Sequence, residues 1–174
     1  MILDILTYPD PRLKTVSHPV AEITDEVRAL AQDMFDTMYA SRGVGLAAPQ
    51  VGRFLRMLVM HPVSVEGEAV YPPMVLINPV VTPLGEDVVS PQEGCLSVPL
   101  NYRSDVMRKS RVMLSALDLD GNSIAEEFVD YPAIVLQHEA DHLDGVLFID
   151  QISRLRRSLY DAKVKKWQTR RNSE

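Results

Sequence analysis

The chain has 174 residues, 46% hydrophobic and 24% charged, with a formal net charge of −6 at pH 7. That length fits one domain spanning 1–174, large enough to bury a true core. No apolar run approaches the ~20 residues of a membrane span, the first residues lack a signal-like pattern, and the single Cys excludes an internal disulfide. A cytoplasmic chain with no membrane partner is therefore expected.

Residues 1–20 read as an irregular start, turn-like at Tyr8-Pro9-Asp10-Pro11 and ended by Pro19. Thr24-Asp25-Glu26 reads as a helix start, an N-cap followed by two acids in the first turn. Val27, Leu30, Ala31, Met34, Phe35 and Met38 then recur at helical spacing to about Tyr39. Gly43-Val44-Gly45-Leu46-Ala47-Ala48-Pro49-Gln50 follows, and its small residues allow another group to approach the backbone closely. The stretch is neither a dinucleotide fingerprint nor a P-loop: it has no third Gly, no preceding strand and no Gly-Lys-Ser/Thr. It reads either as a tight loop on the core or as a wall of an active site, with Gln50 aiming its amide inward.

Arg56–His61 and Val75–Asn78 read as strands, joined by an exposed loop over 62–73 that is rich in Pro, Gly and Glu. His61, beside Pro62, reads as structural. Val80–Val89 reads as a further strand or hairpin turned at Leu84-Gly85. Arg111–Leu117 alternates, Asp120-Gly121 is a strong hairpin turn, and Ile124–Val129 is its returning strand. A last helix is expected from a cap at Ser153 to about residue 170, with Leu155, Leu159 and Ala162 on one face. Residues 154–174 hold eight basic and two acidic residues, a local charge of +6 against −12 for the rest. A basic tail on an acidic body points to an anionic partner for the tail alone.

Two stretches carry groups suited to chemistry. Glu93-Gly94-Cys95-Leu96-Ser97 holds the only Cys, which reads as a core thiol, a nucleophile or a metal ligand, and Gly94 leaves room beside it. Gln137-His138-Glu139-Ala140-Asp141-His142-Leu143 contains His-Glu-x-x-His. On a helix, residues i and i+4 share a face, so His138 and His142 can take two corners of one metal ion. Glu139 can lean over the same position and take a proton from water there. Asp130 is a candidate N-cap, Pro132 fits the first turn, Ala133–Leu136 are apolar, and Gly145 marks the stop. Such a helix belongs in the core. The pattern alone also fits two structural histidines and a surface Glu, because a catalytic metal needs a third ligand. Cys95, as a thiolate, is the candidate for it.

Taken together, three stretches resemble the signature motifs of the peptide deformylase family in its bacterial type. Gly43–Gln50 matches Gly-x-Gly-x-Ala-Ala-x-Gln, Glu93–Ser97 matches Glu-Gly-Cys-x-Ser, and Gln137–Gly145 matches Gln-His-Glu-x-Asp-His-x-x-Gly, at every fixed position and in order. The resemblance implies an α+β fold, with antiparallel β-sheets packed around a central metal-binding helix and a C-terminal helix after it. It implies Cys95, His138 and His142 as metal ligands and Glu139 as general acid/base. Gln50 and the backbone N–H of Leu96 would face the developing oxyanion, and the backbone at Val44 and Gly45 would line the substrate groove. Selectivity for methionine needs an apolar pocket. Ile134 and Val135, four and three residues before His138 on its helix face, are candidates with Val44, or else plain core.

The implied cofactor is one divalent metal per chain, Fe2+ foremost, with Zn2+, Ni2+ or Co2+ as substitutes. The implied reaction removes the N-formyl group from the N-terminal formyl-methionine of newly synthesised proteins and releases formate. Nascent N-formyl-methionyl peptides would be the partners, and the basic C-terminal helix reads either as a ribosome contact through salt-dependent phosphate interactions or as a solvated amphipathic helix. One departure stands out. Val106-Met107-Arg108 stands where many bacterial members show Val-Pro-Arg, which leaves the local loop shape open.

Overall fold

A computed structural model describes residues 1–64, 67–68 and 70–173. Val65, Glu66 and Ala69 of the expected 62–73 loop, and Glu174, lie outside the described residues. In chain order the elements are α1 (Asp25–Ala40), β1 (Gly45–Ala47), β2 (Met57–Met60), β3 (Met74–Glu93), β4 (Ser104–Leu117), β5 (Ser123–Val129), α2 (Asp130–Leu143) and α3 (Arg154–Arg171). The strands form one antiparallel sheet in the order β1-β2-β3-β4-β5. The α+β class expected from the sequence is what the chain adopts. No described helix is long and apolar enough to cross a membrane.

α1 and α2 cover opposite faces of β2. Successive strand side chains point to opposite faces, and β2 is buried on both. Leu58 and Met60 join Leu76, Val112, Leu114 and Phe128 around Ala133 and Leu136 of α2. Met57 and Val59 join Ala31, Met34 and Met38 of α1. Thr24 caps α1 by accepting the Val27 N–H, as its sequence predicts. β4 keeps a strict alternation, with Val106, Val112, Leu114 and Ala116 inward and Met107, Arg111 and Met113 outward.

Several expectations need correction. Gly45-Leu46-Ala47 is not a loop: it pairs with β2, Gly45 opposite Met60 and Ala47 opposite Leu58. Leu46 packs into the core on the α1 side and Ala47 on the α2 side, while Gly45 leaves the space that Glu139 fills. Leu84-Gly85 does not turn a hairpin, because Val75–Asn78 and Val80–Val89 belong to one twenty-residue strand, β3. Its register against β4 slips between Ile77 and Val80, Leu84 and Asp87, and Ser90 and Glu93. Left-handed Asn78 (φ 52°), Gly85 (φ 69°) and Gln92 (φ 49°) mark the three slips. Extra residues of this kind bend a strand and increase its twist.

Asp130 does not cap α2. No side-chain cap bond forms there, and Asp130 is itself left-handed at φ 53°. The stop at Gly145 is as expected. Its N–H reaches His142 O at 3.1 Å, and Val146 N–H reaches Asp141 O at 2.9 Å. This closes the helix with Gly145 at φ 73°. Ser153 caps α3 by accepting the Arg156 N–H at 3.2 Å. The buried face of α3, however, is Tyr160 and Val164, with Trp167 partly covered, while Leu155 (70%) and Leu159 (58%) stay exposed, as does Ala162. Tyr160 stacks between Tyr8 and Tyr102, and this aromatic contact takes the inner face.

The first twenty residues run as a strap across the outside. Leu6 N–H donates to Gln50 O at 2.7 Å, Tyr8 N–H to Ser97 O at 2.7 Å and Ser17 N–H to Leu143 O at 2.8 Å.

Candidate active site

α2 carries His138 and His142 on one face, and both rings are nearly or fully covered. β3 ends at Glu93, and two residues later the chain brings Cys95 against them. The Cys95 Sγ lies 3.3 Å from His142 Nε2. One ligand atom from each of Cys95, His138 and His142 falls within 4.8 Å of the others. The Ser97 N–H donates to the sulfur at 3.4 Å, and Gln50 Nε2 lies 3.6 Å from it. Gln50 is held on both sides: its Oε1 accepts the Ala47 N–H at 2.9 Å, and its Nε2 donates to Ser97 Oγ at 3.0 Å.

His138 is oriented from behind. Its Nδ1 lies 2.6 Å from Glu93 Oε1, which leaves Nε2 to face the cluster. Glu93 is in turn gripped by Arg108, Nη2 to Oε1 at 2.5 Å and Nε to Oε2 at 3.2 Å. Arg108 Nη1 also donates to Asp141 Oδ2 at 2.6 Å, and Gln151 Nε2 donates to the same oxygen at 2.8 Å. This network is what the sequence reading missed. It saw Arg108 only as the end of an altered triplet and Glu93 only as a motif letter. The signal was present: Arg108 occupies an inward position of an alternating strand, where a charge requires a buried partner. Met107, in place of Pro, sits outward within the continuous β4, so the altered triplet leaves the strand intact.

The electrostatics follow from burial and these partners. Burial alone would raise the Glu93 carboxyl, but the hydrogen bonds from His138 and Arg108 outweigh it and bring its pKa down to about 2. Burial lowers His142 well below the usual imidazole range, aided by the charges of His138 and Arg108, so it is neutral and ready to donate a lone pair. Burial also opposes charge on His138, yet the charge and hydrogen bond of Cys95 and the bond to Glu93 raise it. Glu139 is pushed up to about 7, chiefly by burial, with the His138 charge working against the shift and Glu93 adding to it. Its Oε2 is buried and has no hydrogen-bond partner among the described residues.

These groups open into a cleft of about 750 Å3. Gln50, Cys95, Leu96, His138 and Glu139 line it, as do the four residues expected to meet substrate: Val44, Gly45, Ile134 and Val135. His142 is buried and is not among the lining residues. Val135 both lines the cleft and belongs to the core against the sheet.

The donor set fits a metal ion. A thiol, a neutral imidazole and a second imidazole with its far nitrogen fixed by a carboxylate converge from two elements. An orphaned carboxyl oxygen stands beside them. Fold and cleft together define the class as a metal-dependent hydrolase. The family model of polypeptide deformylase matches residues 2–158. A peptide deformylase of Acinetobacter baumannii (strain SDF) is 48% identical over 173 residues, covering 99% of this chain and 96% of that one. Among solved structures, a peptide deformylase from Legionella pneumophila superposes with a TM-score of 0.87 at 37% identity, over 100% of this chain and 99% of that one. A Met-Ala-Ser-bound class I type b peptide deformylase from Acinetobacter baumannii gives 0.81 at 32% identity, over 87% and 99%. The chain belongs to the polypeptide deformylase family, the hydrolases that remove the formyl group from the N-terminal methionine of proteins.

Proposed function

We propose that Cys95, His138 and His142 hold one divalent ion, Fe2+ in the cell, and that Glu139 is the acid/base group of deformylation. The observation that carries this reading is the unpartnered, buried Glu139 Oε2 beside the three-donor cluster at the base of the cleft. When bound, such an ion acts as a Lewis acid and makes water a usable nucleophile at neutral pH. Glu139 takes the proton from the attacking water and returns it to the amine that leaves, and a carboxyl with a pKa of about 7 is matched to both transfers. The Gln50 amide and the Leu96 N–H donate to the oxyanion that forms from the formyl oxygen. One such donor is worth roughly 2.7–4 kcal/mol. Gln50 is suited to this because its neighbours fix its rotamer before substrate arrives. Val44, Gly45, Ile134 and Val135 line the groove that takes the methionine end of the peptide.

The substrates are N-formyl-methionyl nascent peptides, met in the cytoplasm by residues 1–174 acting as one unit. The solved relative bound to Met-Ala-Ser supports a methionine-first peptide in this cleft. α3 offers Lys163, Lys165, Lys166, Arg170 and Arg171 at its solvent side, a basic surface suited to ribosomal RNA. Tyr160 and Val164 are buried, so deletion of α3 would damage the core. Reversing the charge of Lys163, Lys165 and Lys166 instead should release the chain from sedimenting ribosomes.

The test is formate release from an N-formyl-Met peptide by protein purified without air, with metal content measured in the same sample, beside Glu139→Ala. Activity that needs about one metal per chain and collapses in the variant is expected, in line with the 10²–10⁴-fold share of a general base. Activity without metal would end this reading and bring Cys95 forward as a nucleophile.

A further inference from the structure

The cleft mouth is positively charged, and no step of the deformylation chemistry uses that charge. Of the carboxyl groups lining the cleft, Glu93 is bound to Arg108 and His138, and Glu139 is buried at the base. Arg42 and Arg103 also line it, and both are exposed. Among the described residues neither forms an ion pair.

Two separate pieces of backbone bring them there. Arg42 follows α1 in a left-handed conformation, φ 57°, with its N–H on Tyr39 O at 3.0 Å. The residues after it run along the cleft, Gly43 against Leu96 and Gly45 against Glu139. Arg103 comes from the loop that follows Cys95. Leu100 (φ 66°) and Asn101 (φ 49°) are both left-handed in that loop, and Arg103 lies back across Gly94. Its Nη1 donates to Gln92 O at 3.3 Å and stands 3.0 Å from where a methyl group on Gly94 would be. The Arg103 guanidinium therefore lies over Gly94, the neighbour of Cys95, and Arg42 stands on the cleft at the start of the segment that reaches Glu139.

We propose that Arg42 and Arg103 form a carboxylate-reading mouth. Through it the enzyme favours chains with Asp or Glu in the first residues after methionine over chains with Lys or Arg there. The inference rests on the reading of the cleft as the peptide groove. A peptide whose formyl end reaches Glu139 passes the two guanidinium groups on its way out. Guanidinium forks match carboxylates bidentately. Both groups are exposed, so the preference is modest and salt-screened. It acts on the bound peptide and the transition state alike, and so appears in KM with little change in kcat.

The experiment compares formyl-Met-Xaa-Xaa-Ala peptides with Xaa = Glu, Gln or Lys, C-terminally amidated, on the metal-loaded enzyme. The expected result is a kcat/KM for Glu about tenfold above that for Lys at low salt, carried by KM and largely lost in 0.5 M salt, a scale of order 1 kcal/mol. The order should invert in the double variant Arg42→Glu/Arg103→Glu, and Arg103→Ala alone should narrow the gap. Equal values for Glu and Lys in the unmodified enzyme at low salt would overturn the proposal, as would an unchanged order in the double variant. A short peptide's own C-terminal carboxylate offers the same chemistry, so the free-acid peptides form a second arm. A preference seen only there would assign the mouth to chain ends and overturn the side-chain claim. Failure to turn over any peptide would instead strike the cleft reading itself, and would show before any charge comparison.

Discussion

Gly45 and Glu139 are in direct contact: a methyl group on Gly45 would stand 2.6 Å from Glu139 Oε1 and 2.7 Å from its Cγ. The absent side chain is thus the space that the Glu139 carboxyl occupies. Gly45→Ala should move Glu139 and lower kcat by about 10²-fold, the cost of a misplacement near 1 Å. Metal content should stay near that of the unmodified chain, and urea unfolding should show a loss of about 1–3 kcal/mol from overpacking. Unchanged kcat would mean that Glu139 has freedom the contact denies it.

Arg108 bridges Glu93 and Asp141, and Glu93 fixes His138. Arg108→Ala leaves a buried carboxylate with one partner fewer, which typically costs about 3–5 kcal/mol. Metal affinity should fall about 10–100-fold, the usual cost of losing a group that orients a ligand. Competition with a graded chelator series measures the second effect apart from the first. Arg108→Lys should rescue little, because one ammonium cannot serve both oxygens of Glu93 and also Asp141.

Cys95→Ser should strip the bound metal under mild chelation while the far-ultraviolet spectrum stays native. A hydroxyl is a harder and far less acidic donor than a thiol. Retained metal with lost activity would favour Cys95 as nucleophile. With the native thiol, the Fe(II)-loaded enzyme should lose activity in air and the Ni(II)-loaded enzyme should keep it. Equal lifetimes in air would count against a redox-labile centre.

Tyr160 sets an alkaline limit. Its O–H donates to Pro99 O at 3.1 Å, and burial, with the Tyr8 and Asp161 charges, raises its pKa above the usual phenol range. Below about pH 10 the phenol keeps its proton in both folded and unfolded chains. Above that, the unfolded chain ionises first, so the stabilisation present at lower pH is lost as pH rises through the shifted value. Tyr160→Phe should be less stable at pH 8 by about 0.5–1.5 kcal/mol for the lost bond. It should also show a shallower fall between pH 10 and 12. Parallel curves in urea titrations would contradict this.

The sequence was most legible where one local rule decided the outcome. α1 follows from its cap and stripe, the 111–117 half of β4 and β5 from alternation around Asp120-Gly121, and the α2 stop from Gly145, whereas the first half of β4, from Ser104, was not read as strand. The residues of the cleft were legible through three short motifs, because close packing of Gly43–Gly45 and the i, i+4 histidines both leave local traces. β3 was not legible as one strand. Asn78, Gly85 and Gln92 at its bulges, and Pro79, Pro83 and Pro91 near them, each look like a break, and only pairing with β4 carries the strand through. The inner face of α3 was misread because Leu155 and Leu159 outrank Tyr160 in hydropathy. Which face is buried depends on Tyr8 and Tyr102, far away in the chain. The Arg108 network was hidden for a similar reason, since its partners come from β3 and α2.

The strap over residues 1–20 carries none of the proposed reacting groups, yet it buckles together the three segments that line or back the cleft. Its amides hold Gln50, Ser97 and Leu143, one from each motif or its helix end, and Gly145 lies so close to Lys14 that a side chain there would meet the Lys14 carbonyl. The candidate site is therefore laced from outside by a segment that looks dispensable. A single protease cut in that segment would loosen three parts of the machinery at once, though it removes no side chain that touches the peptide.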